Sequence, residues 1–319
     1  MSVFQNALMF SILSYGFLYD FRFIMLFFGF LGFNMLIYYI IPGGKCNNIR
    51  RKIQIATWEE PKEGLIHIKM EIDCTKVLDF LSNYKPDEVK PTLTHFGIKA
   101  VSNILDQSRL IINGKLMFGK FVPFETVDVT CLIDIDNGND LGAITIRKCD
   151  ELSVLELAKY VKQKSEKIKK SKGDNIHKKR NNSLQYFPPF IVSVILQLTK
   201  WFSYYFGLNL PFLGINKNNF GGAIVTSIGM LGIVDAVAPH CNFMNCPALL
   251  VLNKVIDKPI VRKGQIVIAK VMNCNFTVDH RFIDGGKARY IKTAFIDVFE
   301  NPEKFFDNPS PLQSEQKSK

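Results

Sequence analysis

The segment at residues 275–291, NFTVDHRFIDGGKARYI, constrains the fold most, because it specifies a strand, a tight turn and a helix in succession. Apolar residues recur through residues 267–278 in the alternating pattern of a half-buried strand. Gly285 and Gly286 supply the backbone freedom of a tight turn, and residues 288–299 carry the spacing of a helix. The pattern therefore predicts a strand–turn–helix unit late in the chain.

His280 lies at the predicted strand end, four residues before Asp284. A histidine there can act as a general base, because its ordinary pKa lies near neutral pH and a neighbouring group can fix its tautomer. Asp284 is placed to hold either the turn or the imidazole ring. A histidine near a carboxylate is also an ordinary hydrogen-bonded turn residue, so the HxxxD spacing alone does not identify chemistry.

The longer string D-H-R-x-x-D-G, which starts at Asp279, fixes five positions. It resembles the active-site signature of the 2-oxo acid dehydrogenase acyltransferases (the E2 catalytic domain), in the chloramphenicol acetyltransferase superfamily. The blocks IHIKMEIDCTKVLDFL, LTHFGIKAVSNIL, VDVTCLIDIDNGNDLGAITI and CDELSVLELAKYV are also similar to that domain. The resemblance covers residues 53–172 and 219–305. It implies an α/β fold of the chloramphenicol acetyltransferase type, with a two-layer mixed sheet and helices.

A second glycine-containing block, GGAIVTSIGMLG, presents the hydroxyls of Thr226 and Ser227 near a bend. Such hydroxyls commonly bond their own backbone. The resemblance implies more, because Thr226 occupies the family position of a serine or threonine that stabilises the tetrahedral intermediate. Ser227 stands where many relatives have asparagine. His280 is then the general base, and Arg281 and Asp284 shape its loop.

The resemblance also implies the substrates and partners. Coenzyme A or acyl-CoA is the expected substrate, and neither a covalent lipoyl group nor a metal is expected in this chain. In the family, the catalytic histidine and the hydroxyl that stabilises the intermediate come from adjacent subunits, which implies a homotrimer or a larger assembly. Because the sequence shows no lipoyl domain, Ala/Pro-rich linker or subunit-binding domain, we expect a separate lipoyl or acyl carrier protein as the source of the acyl group.

The distribution of charge and the cysteine content indicate which partners and which compartment the chain favours. The net charge of +11 is concentrated at residues 159–180, where ten lysines and arginines face only Glu166 and Asp174. Without interleaved aromatic residues or a nucleic-acid module, this stretch favours a solvated helix or an anionic membrane surface over nucleic acid. The seven cysteines form no CxxC pair, which predicts neither a zinc site nor a disulfide framework and favours a reducing compartment.

The N-terminal part of the chain is strongly apolar. Residues 23–41 form an uncharged run of nineteen residues, which predicts a transmembrane helix across a hydrocarbon core of about 30 Å. One span with an interfacial lead-in is the first interpretation, and a two-span hairpin that includes residues 3–19 is the alternative. Basic residues follow the run at 45–52, so the rest of the protein is expected on the cytosolic or mitochondrial-matrix side. The mitochondrial inner membrane is one candidate.

The predicted organisation has four parts. A membrane anchor at residues 1–44 precedes an acyltransferase catalytic domain at 45–307. An apolar insert at 187–213 interrupts that domain, and a disordered tail at 308–319 follows it. The insert carries one polar stripe that includes Lys200 and Tyr204, so its helix either lies in a bilayer interface or packs within the fold or its oligomer.

Two functions remain open on the sequence alone. The first is a CoA-dependent acyltransferase that moves an acyl group between thiols, from CoA to a dihydrolipoyl-type or other acceptor. The alternative is a catalytically silent scaffold subunit of a membrane complex that keeps the acyltransferase fold. The intact signature around His280 and the hydroxyl of Thr226 favour the enzyme, because a scaffold needs no imidazole at a strand end.

Overall fold

The computed structural model describes residues 11, 21–40, 64–85, 89–134, 141–171, 201–205, 207–209, 218, 220–239 and 245–307. The strands are β1 (Leu65–Asp73), β2 (Gly114–Met117), β3 (Lys120–Pro123), β4 (Val129–Asp134), β5 (Leu141–Ile146), β6 (Ala223–Ser227), β7 (Ala248–Arg262) and β8 (Gln265–Asp279). The α-helices are α1 (Phe21–Ile40), α2 (Thr75–Asn83), α3 (Leu93–Gln107), α4 (Val154–Ser171), α5 (Gly285–Glu300) and α6 (Pro302–Phe306).

Six strands form one mixed sheet in the order β1-β8-β7-β6-β4-β5. The pairs β1–β8, β7–β8 and β4–β5 are antiparallel, whereas β6 runs parallel to both β4 and β7. Strands β2 and β3 form a separate antiparallel hairpin. The predicted mixed α/β class is confirmed, and so is the predicted strand–turn–helix unit, which is β8 followed by α5.

The main core lies between one face of the sheet and helices α3 and α5. Alternate side chains of the central strands point toward these helices, and Phe276 of β8 meets Phe295 of α5 edge-on at 6.0 Å between ring centroids. Gly97 of α3 lets the helix approach the sheet, since an added Cβ would lie 2.6 Å from a methyl carbon of Leu252. These contacts fix the sheet that carries both candidate functional strands.

The opposite face of the sheet carries the other alternate set of side chains, which includes those of Thr226 and Thr277. The segment at 235–238 crosses this face. The buried Asn275 side chain donates to the Asp235 carboxylate at 2.6 Å, and Thr277 donates to the carbonyl of Ala238 at 3.0 Å. Buried polar side chains thus hold the segment that follows β6 against the sheet.

A helix forms over the N-terminal apolar run, as α1. Among the described helices, however, none is long and apolar enough to cross a membrane. The predicted transmembrane helix at residues 23–41 is therefore not supported. An uncharged run predicts a helix that avoids water, but it does not distinguish a membrane span from a segment buried against protein.

Several predictions fall wholly or partly outside the described residues. The tail at 308–319, residues 1–10 and the last part of the basic stretch, 172–180, belong to this group. The domain boundaries at 44/45 and 307/308 stay predictions. Of the insert at 187–213, the structure describes 201–205, which forms a single π-helical turn, and 207–209.

Candidate active site

His280 lies directly after β8, at the first position of a tight turn. Its backbone N–H donates to the carbonyl of Gly64 at 2.7 Å, which ties the turn to the residue before β1. The backbone N–H of Phe282 donates to the carbonyl of Asp279 at 3.0 Å and closes the turn. The imidazole is therefore carried by two hydrogen-bonded strands and not by a free loop.

The imidazole tautomer follows from one hydrogen bond. Nδ1 of His280 lies 2.9 Å from the carbonyl oxygen of Ile283. A carbonyl oxygen only accepts hydrogen bonds, so Nδ1 carries the proton and Nε2 of the neutral ring carries the lone pair. The side chain is half-buried. This arrangement leaves Nε2 as the ring atom that can take a proton from a substrate.

Asp279, which is buried, and Arg281, which is half-buried, flank the histidine and form an ion pair. The Arg281 Nη2 lies 2.7 Å from Asp279 Oδ2, and its Nε lies 3.1 Å from both carboxylate oxygens. The Arg281 backbone N–H also donates to Asp279 Oδ1 at 2.9 Å. The loop-shaping role predicted for Arg281 thus has a partner that the sequence analysis did not assign. The alternation of acid, histidine and base at 279–281 is the signal that could have identified it.

Asp284 is the N-cap of α5. Its Oδ1 accepts from the backbone N–H of Lys287 at 3.1 Å, and its backbone is extended, as is usual at a helix N-cap. Of the two roles predicted from its position, the structure shows this residue holding the turn. The group that contacts Nδ1 of the histidine is the carbonyl of the preceding residue, Ile283.

Thr226 lies near the end of β6, half-buried, between β4 and β7. The strand begins after Gly221, whose φ of +66° and close approach to the Asp128 backbone both exclude a side chain. At the other end, an added Cβ on Gly229 would lie 2.9 Å from the carbonyl oxygen of Asn253. Glycines thus fix where β6 starts and how the chain turns after Thr226.

The structure does not bring His280 and Thr226 together within one chain. Thr226 pairs with Val251, which pairs with Asn275, and His280 follows Asn275 by five residues, just beyond the end of β8. Five residue steps of about 3.3 Å and two strand spacings of about 4.8 Å place the two Cα atoms roughly 19 Å apart. A single substrate thioester cannot touch both side chains of one chain at that separation.

A cavity of about 440 Å³ opens beside the C-terminal end of β6, on the face of the sheet that α2 and α3 cover. Ser227 and Gly229 line it, together with Thr92 at the start of α3 and the two lysines Lys90 and Lys254. The cavity combines hydroxyl groups and positive charge, but Thr226, whose side chain is on the opposite face of the sheet, does not line it. Such a lining suits a ligand that has hydrogen-bonding and anionic groups.

The described residues offer neither a metal site nor a reactive thiol. No group of three or more histidine, cysteine, aspartate or glutamate side chains among them could hold a metal ion. The five described cysteines, Cys74, Cys131, Cys149, Cys246 and Cys274, are free and buried. Burial raises the pKa of the Cys74, Cys131, Cys149 and Cys246 thiols to about 12. These thiols stay protonated near neutral pH, so none of them is a nucleophile there.

The fold is shared with solved acyltransferase structures. A probable dihydrolipoamide acetyltransferase from Listeria monocytogenes superposes with a TM-score of 0.55 at 18% identity and covers 83% of this chain and 94% of its own. The dihydrolipoamide acetyltransferase of Azotobacter vinelandii gives a TM-score of 0.56 at 17% identity, with coverages of 83% and 92%. That structure was used to investigate the role of a serine, a histidine and an asparagine in its catalytic mechanism.

Sequence comparison points to the same group of proteins. The dihydrolipoyllysine-residue acetyltransferase component of the pyruvate dehydrogenase complex of Rickettsia prowazekii is 24% identical over 265 residues, which are 80% of this chain and 53% of that protein. The chain thus spans about half the length of such relatives. The family model for the 2-oxoacid dehydrogenases acyltransferase (catalytic domain) matches residues 45–178 and 216–306. The chain therefore belongs to the family of 2-oxoacid dehydrogenase acyltransferase catalytic domains.

Proposed function

We propose that this chain is a CoA-dependent acyltransferase that moves an acyl group between CoA and a dihydrolipoyl-type or other thiol, with His280 as the general base. The observation that carries the proposal is the hydrogen bond between Nδ1 of His280 and the Ile283 carbonyl. It fixes the tautomer in which Nε2 can accept a proton. Family membership supports the same reaction class.

The proposed reaction moves one proton, from the acceptor thiol, and develops one negative charge, on the thioester carbonyl oxygen. The thiol of the acceptor gives its proton to Nε2 of His280 as its sulfur attacks the thioester carbonyl carbon, which leaves a negative charge on the carbonyl oxygen. The hydroxyl of Thr226 donates a hydrogen bond to that oxyanion. The intermediate then collapses, the carbon–sulfur bond of the original thioester breaks, and the departing thiolate takes the proton back from Nε2. One oxyanion donor of this kind contributes about 3 kcal/mol to stabilisation of the transition state.

We propose that each site is built between two copies of the chain. The separation of roughly 19 Å between Thr226 and His280, estimated from strand register and spacing, supports this arrangement, because one thioester must reach both groups. A closed ring in which each copy gives its histidine to one site and its threonine to another satisfies the geometry. A homotrimer or larger assembly is the proposed form. One structural relative is the cubic core of a pyruvate dehydrogenase multienzyme complex, with a TM-score of 0.56.

The partners and the compartment follow from the same chemistry. A lipoyl or acyl carrier protein supplies or receives the acyl group, since the curated relatives are dihydrolipoyllysine acetyltransferase components. The free buried thiols suit a reducing compartment that contains CoA, such as the cytosol or the mitochondrial matrix. The exposed lysines of α4, which include Lys159, Lys162 and Lys167, favour an anionic membrane surface as a further contact.

The test is a thioester exchange assay on the purified protein with a panel of acyl-CoAs and dihydrolipoamide. His280→Ala is expected to lower kcat at least about a hundredfold, because it removes the proton acceptor. His67→Ala is the matched control. His67 is an exposed histidine of β1 whose Nδ1 lies 3.1 Å from the Thr277 hydroxyl, so its loss should leave kcat within about twofold. Absence of exchange in the wild-type protein would instead support the silent scaffold.

A further inference from the structure

One described segment of the apolar insert packs inside the fold. The π-helical turn Trp201–Tyr205 lies in the part of the chain between the two blocks that match the family, 45–178 and 216–306. Only 9% of Tyr204 is exposed, and its ring lies 5.6 Å from that of Tyr205, which in turn meets Phe118 at 5.7 Å. Of the two environments predicted for Tyr204, the structure shows the interior of the fold.

Tyr204 covers the open edge of β2. The Phe124 N–H donates to the carbonyl of Asn113, so these two residues form a hydrogen-bonded pair. Bonded and non-bonded pairs alternate along an antiparallel hairpin, and the Leu116–Phe121 pair is therefore a non-bonded one. The Leu116 N–H therefore points away from β3. It donates to the Tyr204 hydroxyl at 3.2 Å. The insert thus supplies the hydrogen-bond acceptor for the buried backbone amide of Leu116 at the edge of the hairpin.

A lysine fixes the other end of the same tyrosine. Lys115 Nζ donates to the backbone carbonyl of Tyr204 at 3.0 Å and lies 5.4 Å from the centroid of its ring. Lys115 is itself only 8% exposed. Neighbouring residues of β2 thus bind the hydroxyl, the ring and the carbonyl of one tyrosine, which immobilises it against the hairpin.

The other strand of the hairpin contacts the histidine turn. Phe121 of β3 is paired with Leu116 in the strand register and is fully buried. Its ring meets that of Phe282 edge-on, with 5.9 Å between the centroids. Phe282 is 3% exposed and lies two residues after His280, inside the hydrogen-bonded turn. A continuous set of packed groups therefore joins the insert to the catalytic loop.

The tyrosine also lies within electrostatic range of the ion pair that flanks the histidine. Burial raises the pKa of the Tyr204 hydroxyl well above its ordinary value, while Arg281 lowers it and Asp279 raises it. The phenol is thus neutral at physiological pH and acts as a fixed dipole near that pair. The tyrosine and the histidine turn therefore share the electrostatic environment of Asp279 and Arg281.

We propose that Tyr204 is a positioning residue for His280. It completes the edge of β2, the completed hairpin holds Phe121 against Phe282, and Phe282 fixes the turn that presents Nε2 to the substrate. The proposal rests on the function proposed for His280 as the general base. The family model does not match the insert, yet the insert helps to hold the proposed catalytic histidine in place.

The test is Tyr204→Phe, which keeps the ring and removes only the hydroxyl. We expect kcat for thioester exchange to fall about tenfold while KM for acyl-CoA stays within twofold, because a misplaced base slows the chemical step. On a His280→Ala background the same change should cost less than twofold, since the histidine that it positions is gone. A tenfold loss that persists on that background would overturn the proposal.

Tyr160→Phe is the matched control. The Tyr160 hydroxyl lies 3.4 Å from the backbone carbonyl of Thr145 in β5, at the far edge of the sheet from β8. The control also removes one phenol hydroxyl that is hydrogen-bonded to a strand backbone. Because that strand is far from the histidine turn, the change should leave kcat unchanged. Equal losses in Tyr160→Phe and Tyr204→Phe would indicate a general effect on stability and would contradict the proposal.

A measurement without turnover separates this proposal from the proposed function. Hydrogen exchange of the His280 and Phe282 amides should become about tenfold faster in Tyr204→Phe and stay unchanged in Tyr160→Phe. Faster exchange in a protein that transfers no acyl group would support the packing contact between Tyr204, the hairpin and the histidine turn, but would refute the proposed acyltransferase function. Unchanged exchange with intact acyl transfer would refute the link alone. If Tyr204→Phe does not fold, Lys115→Met, which releases the Tyr204 carbonyl, is judged by the same results.

Discussion

Mixing two inactive variants gives the sharpest test of a site built between copies. Thr226→Val removes the oxyanion donor and keeps the shape of the side chain, and the loss of about 3 kcal/mol should lower kcat roughly a hundredfold. His280→Ala removes the base. Each variant still carries the residue that the other lacks, so a mixed assembly contains some sites with a wild-type histidine from one copy and a wild-type threonine from the next.

The expected recovery follows from the separation of roughly 19 Å between the two residues in one chain. With equal amounts of the two variants and random assembly into rings, about one site in four receives both wild-type residues. Co-expressed and co-purified Thr226→Val and His280→Ala chains should therefore show about a quarter of wild-type kcat per site. Each variant alone should show about one hundredth or less.

A second mixture serves as the control. Wild-type chains mixed equally with the double variant Thr226→Val/His280→Ala should retain about one quarter of full activity when sites lie between copies, and about one half when each chain holds its own site. The assay is thioester exchange at saturating acyl-CoA, with subunit ratios measured by mass spectrometry. Activity of the first mixture no higher than the average of its two parent variants would refute the shared site.

Two further predictions concern Asp284 and His95, which both lie at helix N-termini. Asp284→Asn should keep the free energy of unfolding within about 0.5 kcal/mol and most of kcat, because asparagine also caps helices well, whereas Asp284→Ala should cost about 1 kcal/mol in urea unfolding. A stable Asn variant with a hundredfold lower kcat would instead place the carboxylate in the chemistry. Burial lowers the pKa of His95 from 6.5 to about 4, and its Nδ1 accepts from the Thr92 N–H. The unfolded chain therefore binds a proton between these pH values that the folded protein does not, so stability should fall as pH drops from about 6.5 to 4. His95→Gln should flatten this part of the pH dependence, and an unchanged slope would contradict the assignment.

Local patterns predicted most of the elements. The alternation before His280 and the glycine pair after it predicted β8, the turn and α5, because strand and helix periods differ and glycine permits the turn. The mixed α/β class followed from the order of these patterns. The resemblance around Asp279 to Gly285 predicted the family. These features depend on residues that are close in sequence.

Contacts between distant residues could not be predicted in the same way. The partnership of Tyr204 with Leu116 joins residues 88 positions apart, and no periodicity of either segment encodes it. The sequence also could not show that Thr226 and His280 lie far apart on their sheet, because strand order is not contained in any one strand. The apolar run at 23–41 indicated a helix, but apolarity alone does not specify what surrounds it.

Deep burial of the described thiols has a consequence for the acyltransferase reaction proposed above. A cysteine with a pKa of about 12, such as Cys131 or Cys246, is ionised in only about one molecule in 10⁵ at pH 7. In that reaction, acyl groups would therefore meet described cysteine thiols that are both buried and almost fully protonated. Transfer of the acyl group to one of these five thiols, which would divert it from the acceptor, is suppressed by their burial alone.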